Sequence, residues 1–368
     1  MFALTIKLAR VAVMPKPFRN VRVHAVDDGR VTLEANPRTT HPGTFGLSYD
    51  SGRGHAIIGE IVGTDRRAKR VERLVLTTAG SALEPTRFSH WEGDVFNGPR
   101  EIDPAAEDVE IPVDGGTAPA WLVPPVDGHT DADDTWAIHV HGIRTTRINA
   151  LRTVPSARSL GYTSLVVSYR GDGEGPATFN GASMLGIAEW PDVDAAITYA
   201  VEHGARRIVL FGWSMGASVV LLTADRSRHR DLIAGVVVVS PALQWRGTIR
   251  HGAHIVGLPR ICGDLAMAAL SGRRLSRIVG VPEPIDFDAM DWSVPGRIQK
   301  PCLVVHSEGD EKIPMSLSRL VVAANAEHAQ LFETPHAAHA WEYNVGPELF
   351  DSGIIAWLRD LPHSVTAL

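Results

Sequence analysis

The sequence predicts an α/β protein: a doubly wound, mostly parallel sheet with a lid insertion and a strand-rich N-terminal extension. Three observations predict it. From Trp136 onward, apolar runs rich in β-branched residues recur without polar alternation, as strands buried on both faces require. Helix-period segments lie between them, and repeated strand–helix units fold into a parallel sheet. Residues 1–100 instead hold short β-like pieces divided by Gly and Pro turns.

The extension offers VRVHAV (21–26), RVTLEA (30–35) and HAIIGEIVG (55–63) as strands, with no convincing helix period. Its first residues, MFALTIKLARVAVMPKPF, are mildly apolar. Lys7 and Arg10 interrupt them, and Pro15 and Pro17 close them before an unbroken apolar core forms, so no signal peptide is read. Two roles stay open for the extension: a homodimer contact, or shaping of a pocket.

A catalytic domain is expected over residues 101–368. In EDVEIPVDGGTAPAWLVPP two alternating runs meet at Asp114-Gly115-Gly116, a β-hairpin signal. The buried strands follow as WAIHVHG, TSLVVSYRG, RIVLFGWS, AGVVVVS, CLVVHSEGD and AQLFETP. Between the second and third, Val193, Ala196, Ile197, Ala200 and Val201 recur at helical spacing, with Pro191 in the first turn and Gly204 as the stop. The stretch of about 246–296 is too long for a simple crossover and has its own helical piece around DLAMAAL. It reads as a crossover helix plus a lid whose apolar residues either wall a substrate pocket or form ordinary helix core.

Composition narrows the partners. A formal charge of −6 does not favour nucleic acid or an anionic membrane surface. No stretch approaches the ~18 unbroken apolar residues of a membrane span, so a soluble, cytoplasmic protein is expected. Cys262 and Cys302 have neither metal-ligand spacing nor the density of a disulfide framework, which fits a reducing compartment.

Gly212-Trp213-Ser214-Met215-Gly216 matches G-x-S-x-G, whose small flanking residues permit a strained strand-to-helix turn that exposes the serine. A strand-like RIVLF precedes it and a helix-like GASVVLL follows. A serine hydroxyl must lose its proton as it attacks, so it needs a base, and the base needs orientation. On such folds the order is serine, acid, histidine. His339 in TPHAAHAWEYN is the expected base, with His336 as its rival. Asp310, at the carboxyl end of CLVVHSEG, is the expected acid; the position one strand earlier holds Ser240 and Pro241 and offers no carboxylate. The N–H of Met215 and that of Ile143, after WAIHVHG, are expected to hold the oxyanion. His139 and His141 invite a metal reading but lack a third ligand at sensible spacing. Asp172 and Glu174 in YRGDGEGP read as loop residues rather than acid/base groups, and Arg144, Arg147 and Arg152 as solvated or ion-paired side chains rather than a carboxylate clamp.

In this order, HVHG, SYRGDGEG, GWSMGA, HSEGDEKIP and AAHAWEYN resemble the α/β-hydrolase superfamily over residues ~105–368. HGIRTTRINALR and LGIAEWPDVDAAITYA further resemble actinobacterial-type hydrolases near the serine-aminopeptidase and prolyl-oligopeptidase-like branches. The resemblance implies Ser214 as nucleophile, Asp310 as acid, His339 as base, and Met215 and Ile143 as oxyanion donors. Ala217, where many relatives carry a second glycine, departs from the pattern, and Ser214 disfavours the branches with an aspartate nucleophile. The function implied is a serine hydrolase that cleaves a small-molecule carboxylic ester through an acyl-enzyme, with no cofactor. Peptidase, amidase or acyltransferase chemistry is the alternative, and a non-catalytic ligand-binding protein is the rival of another class.

Overall fold

A computed structural model describes residues 2–14, 20–126 and 134–362. It opens on a helix, α1 (Phe2–Val13), where the sequence suggested no helical period. Ile6, Ala9 and Val13 are buried in the main core, but Leu4, Leu8 and Val11 put apolar residues on the opposite face as well. That two-sided apolarity erases the contrast by which an amphipathic helix is recognised. Pro15 and Pro17 lie outside the described residues.

The strands β1 (Asn20–Asp27), β2 (Arg30–Glu34), β3 (Phe45–Tyr49), β4 (Gly54–Asp65), β5 (Arg70–Gly80) and β6 (Thr86–Glu92) form an antiparallel barrel closed in the order β1-β2-β5-β4-β3-β6. Alternate residues such as Val21, Val23, Val31, Leu33, Phe45 and Leu47 fill it.

The second sheet contains β7 (Glu107–Val113), β8 (Gly116–Val123), β9 (Thr135–Val140), β10 (Thr163–Val167), β11 (Arg207–Trp213), β12 (Ile233–Val239), β13 (Cys302–Ser307) and β14 (Ala329–Thr334), in the order β14-β13-β12-β11-β9-β10-β8-β7. Strands β9 to β14 are parallel, and β8 pairs antiparallel with β10. The expected hairpin is there, with Val113 opposite Gly116. Along β11, Ile208 and Leu210 enter one core while Val209, Phe211 and Trp213 enter the other. Burial on both faces is why this strand shows no polar alternation.

Helices α2 (Arg147–Ala150), α3 (Val154–Arg158), α4 (Trp190–Glu202) and α5 (Met215–Arg226) connect the central strands. In α4, Val193, Ala196, Ile197 and Ala200 are buried, as their spacing predicts. The insertion folds into α6 (Trp245–Ile255), α7 (Arg260–Ser271) and α8 (Leu275–Val279), and α1 packs against α7 and α8. The chain ends with α9 (Met315–Ala324), α10 (Glu342–Val345) and α11 (Pro347–Arg359). Among the described residues no helix is long and apolar enough to cross a membrane.

Barrel and parallel sheet meet at the loop after β14. Ala337 and Trp341 from that loop are buried in the barrel's apolar cluster. Asn344 fastens the contact: its side-chain amide donates to Thr44 O (2.7 Å) and Gly93 O (2.9 Å), and its backbone O accepts from Thr44 N at 2.9 Å. Gly43 has φ +119°, and a Cβ there would lie 2.4 Å from Asn344 O, so only glycine permits this approach.

Candidate active site

Ser214 stands between β11 and α5 with φ 52° and ψ −112°, a strained conformation for a residue with a side chain. The flanking glycines make the turn possible. A Cβ on Gly216 would lie 2.6 Å from both Val140 O and His141 O, and one on Gly212 would lie 2.5 Å from Gly216 O. Backbone bonds brace the strained residue: Ser214 N donates to Val239 O (2.9 Å), and Ser214 O accepts from Ala217 N (3.1 Å) and Ala242 N (3.0 Å).

β13 ends three residues before Asp310, and β14 ends five before His339, so both side chains emerge at the carboxyl edge of the sheet beside the serine. His339 Nε2 lies 2.9 Å from Ser214 Oγ, and His339 Nδ1 lies 2.7 Å from Asp310 Oδ2. Asp310 Oδ1 accepts from the backbone N–H groups of Lys312 (2.8 Å) and Ile313 (2.9 Å). Burial opposes the charge on Asp310, but the adjoining His339 and His306 rings, by charge and by hydrogen bond, outweigh it and hold the carboxyl well below the usual range. Asp310 therefore stays ionised.

Residues 140–278, which carry the serine turn and the lid, match the family model for serine aminopeptidase, S33. Over this stretch the chain is similar to the α/β-hydrolase superfamily. By that match it is a serine hydrolase.

The hydrolase's barrel region, residues 22–92, matches a domain of unknown function (DUF8805). Solved structures share the hydrolase fold. An esterase from Pyrococcus furiosus aligns with a TM-score of 0.54 and 19% identity, over 73% of this chain and 96% of that one. Est1E from Butyrivibrio proteoclasticus, with ferulic acid bound, aligns with a TM-score of 0.51 and 19% identity over 69% and 98%. No curated protein sequence matches the hydrolase.

The hydrolase brings His339, and not His336, to the serine. His336 is exposed, with its ring parallel to that of His41 at 6.3 Å. Gly142 abuts the serine so closely that a Cβ on it would lie 3.1 Å from Ser214 Cβ, and Ile143 follows on the cavity wall. Met215 is the first residue of α5. The H-x-H pair finds other partners. His139 is buried between Thr153 Oγ1 (2.8 Å) and Ser164 Oγ (3.1 Å), and burial lowers it to about 3. His141 bonds Gly142 O (2.8 Å) and Asp172 Oδ2 (3.0 Å), so the YRGDGEGP loop is organised by Asp172. Among the described residues no group of three or more His, Cys, Asp or Glu is arranged to hold a metal ion.

Of the three arginines, Arg144 lines the cavity, Arg147 stacks over Trp121 at 4.1 Å, and Arg152 is fully buried over Trp213 at 4.1 Å. Arg152 donates to Asn149 O (3.0 Å), Ala340 O (2.6 Å) and Asn344 Oδ1 (2.8 Å), and so holds the residue after His339. Sequence reasoning passed over His306, which touches Asp310 from the strand side, and Glu342, which accepts from Ser240 Oγ while that oxygen accepts from Ala340 N at 2.9 Å. His306 left a signal, as a polar residue inside the valine run of a strand buried on both faces, where such a group needs a partner.

Ser214 and His339 open into a cavity of about 1160 Å³. Besides the loops around the serine and His339, its walls come from α1, the lid helix α6, and the barrel, whose contribution includes Arg38, Ser48, Glu92 and Asp94. Burial and the nearby Asp94 raise Glu92 to about 8 against the opposing pull of Arg38, and Ser48 Oγ donates to its carboxyl.

Proposed function

We propose that this serine hydrolase cleaves a carboxylic ester of a small molecule through Ser214, His339 and Asp310, by way of an acyl-enzyme and with no cofactor. The observation that carries the reading is the unbroken run of hydrogen bonds from Ser214 Oγ through both ring nitrogens of His339 to Asp310 Oδ2. With Asp310 ionised, Nδ1 must carry a proton and Nε2 is left free to accept one. Ser214 Oγ attacks the carbonyl carbon while Nε2 takes its proton. Asp310 stabilises the imidazolium that forms. The negative oxygen meets the N–H groups of Met215, at the start of α5, and of Ile143, on the loop abutting the serine. Collapse expels the alcohol, which takes the proton from His339. Water, deprotonated by the same nitrogen, then attacks the acyl-serine and releases the acid and Ser214 Oγ–H.

The match of residues 140–278 to the serine aminopeptidase model favours a second reading, in which the same machinery cleaves an amide. Two buried free thiols, Cys262 and Cys302, support a reducing, cytoplasmic setting.

The test is turnover of p-nitrophenyl esters from acetate to decanoate beside aminoacyl p-nitroanilides, with wild type and Ser214→Ala, and mapping of the residue labelled by a fluorophosphonate. Ester turnover is expected to fall by about 10⁴-fold or more in the variant, with label on Ser214 alone. Undiminished turnover by Ser214→Ala would sink the reading, and anilide turnover with inert esters would replace it with the amidase.

A further inference from the structure

The geometry points to α1 as a working wall of the substrate site, where it binds the acyl chain of a medium-length straight-chain ester whose alcohol part is polar. The inference rests on the ester-hydrolase reading above and adds to it the substrate class and the residues that select it.

Helix α1 is anchored on one side and unfilled on the other. Ile6, Ala9 and Val13, spaced i, i+3 and i+7, sink into the core of the hydrolase sheet. Arg10 fastens the helix by donating from Nε to Val279 O (3.0 Å) and from Nη2 to Ile278 O (2.9 Å), the carbonyls at the end of α8. The other face carries Leu4, Lys7, Leu8 and Val11, again at i, i+3, i+4 and i+7, and all four line the cavity that contains Ser214 and His339. Leu4 and Val11 are 38% and 45% exposed there. From α6 and the residue just after it, Ile249, Ile255 and Val256 line the same cavity, with Val256 64% exposed. A rigid helix that leaves large apolar side chains bare inside a catalytic cavity presents a surface that gains by covering.

The polarity of the walls assigns the two halves of the ester. His339 must hand its proton to the leaving alcohol, so the alcohol lies beside that ring. Around it the chain is polar: His339 N donates to Glu311 Oε2 at 3.2 Å, Arg38 lies over Trp341 at 5.1 Å, and Glu92 and Asp94 follow on the barrel wall. The apolar wall of α1 and α6 is left for the acyl chain. Each methylene it takes out of water favours binding about fourfold.

The test compares wild type, Leu8→Trp and Val11→Trp in two ways: kcat/KM for p-nitrophenyl acetate and octanoate, and the rate at which methyl and octyl phosphonofluoridates label Ser214. Val11 is a control for folding, because its side chain lies outside the buried core. Wild type should favour octyl over methyl at least about tenfold by both measures, and each tryptophan should remove most of that preference. Equal octyl and methyl labelling in wild type, or a preference untouched by both variants, overturns the inference while ester turnover still stands. Inert esters together with octyl-selective labelling that Leu8→Trp abolishes would instead refute the ester reading and retain α1 as the acyl wall.

Discussion

His306 donates from Nε2 to Asp310 Oδ2 at 3.0 Å, so the oxygen that orients His339 serves two imidazoles. Behind it, Ser318 Oγ lies 2.7 Å from His306 Nδ1, and the whole group is buried. Because the ionised carboxylate can only accept, His306 carries its proton on Nε2 and takes one from the serine hydroxyl at Nδ1.

His306 is therefore expected to hold Asp310 in place and to draw off part of its charge. In His306→Leu, kcat should fall about 10- to 100-fold, the worth of one hydrogen bond to a charged group, with KM little changed. A carboxylate with one donor fewer supports the imidazolium of His339 more strongly, so the acid limb of the pH–rate profile should move to higher pH. Glu342 and Lys312, the other ionisable groups acting on Asp310, stay in place in this variant. His306→Gln, which keeps a donor, should recover most of the rate. An unmoved acid limb in His306→Leu would leave the residue a packing role only.

Asp310→Asn should leave the fold intact and lower kcat about 10⁴-fold, because an amide can donate to Nδ1 and so favours the wrong tautomer of His339. Steady-state turnover with circular dichroism as the folding control checks this. Near-wild-type turnover would mean that another acid serves His339.

Arg152→Met should cost roughly 3 kcal/mol of stability by stranding Ala340 O, Asn149 O and Asn344 Oδ1, and should also slow turnover, because Ala340 follows the base. Urea unfolding and kcat are the paired measurements. A stability loss with no change in kcat would show that the His339 loop does not depend on this anchor.

His139 should make the protein acid-sensitive. Burial depresses it to about 3 when folded, whereas the unfolded chain takes up a proton near 6.5. The unfolded state therefore binds more protons between those values, and stability present above pH 6.5 is lost as pH falls, by roughly 1.4 kcal/mol per unit inside the window. His139→Gln should unfold more easily at pH 7 yet show a flatter decline from pH 6.5 to 4.5 by urea denaturation. Parallel declines in the two proteins would contradict the assignment.

The legible features were those governed by local pattern. The valine-rich strands, the hairpin at Asp114 and the amphipathic α4 follow from side-chain period and turn chemistry, and each is found where the sequence places it. Helix α1 was illegible because both of its faces are apolar, one for the core and one for the cavity. The partners of His306 and Arg152 were illegible for another reason: a single histidine or arginine has no period, and its partner is known only when distant segments meet.

By itself the sequence determined the α/β class and the strained turn that small residues allow at Ser214, since these depend on neighbours a few positions apart. Tertiary structure alone brought the expected His339 within 2.9 Å of Ser214, closed the six N-terminal strands into a barrel, and turned α1, α6 and that barrel into walls of one cavity. Those outcomes depend on which surfaces bury one another, and burial between residues hundreds of positions apart leaves no mark in local spacing.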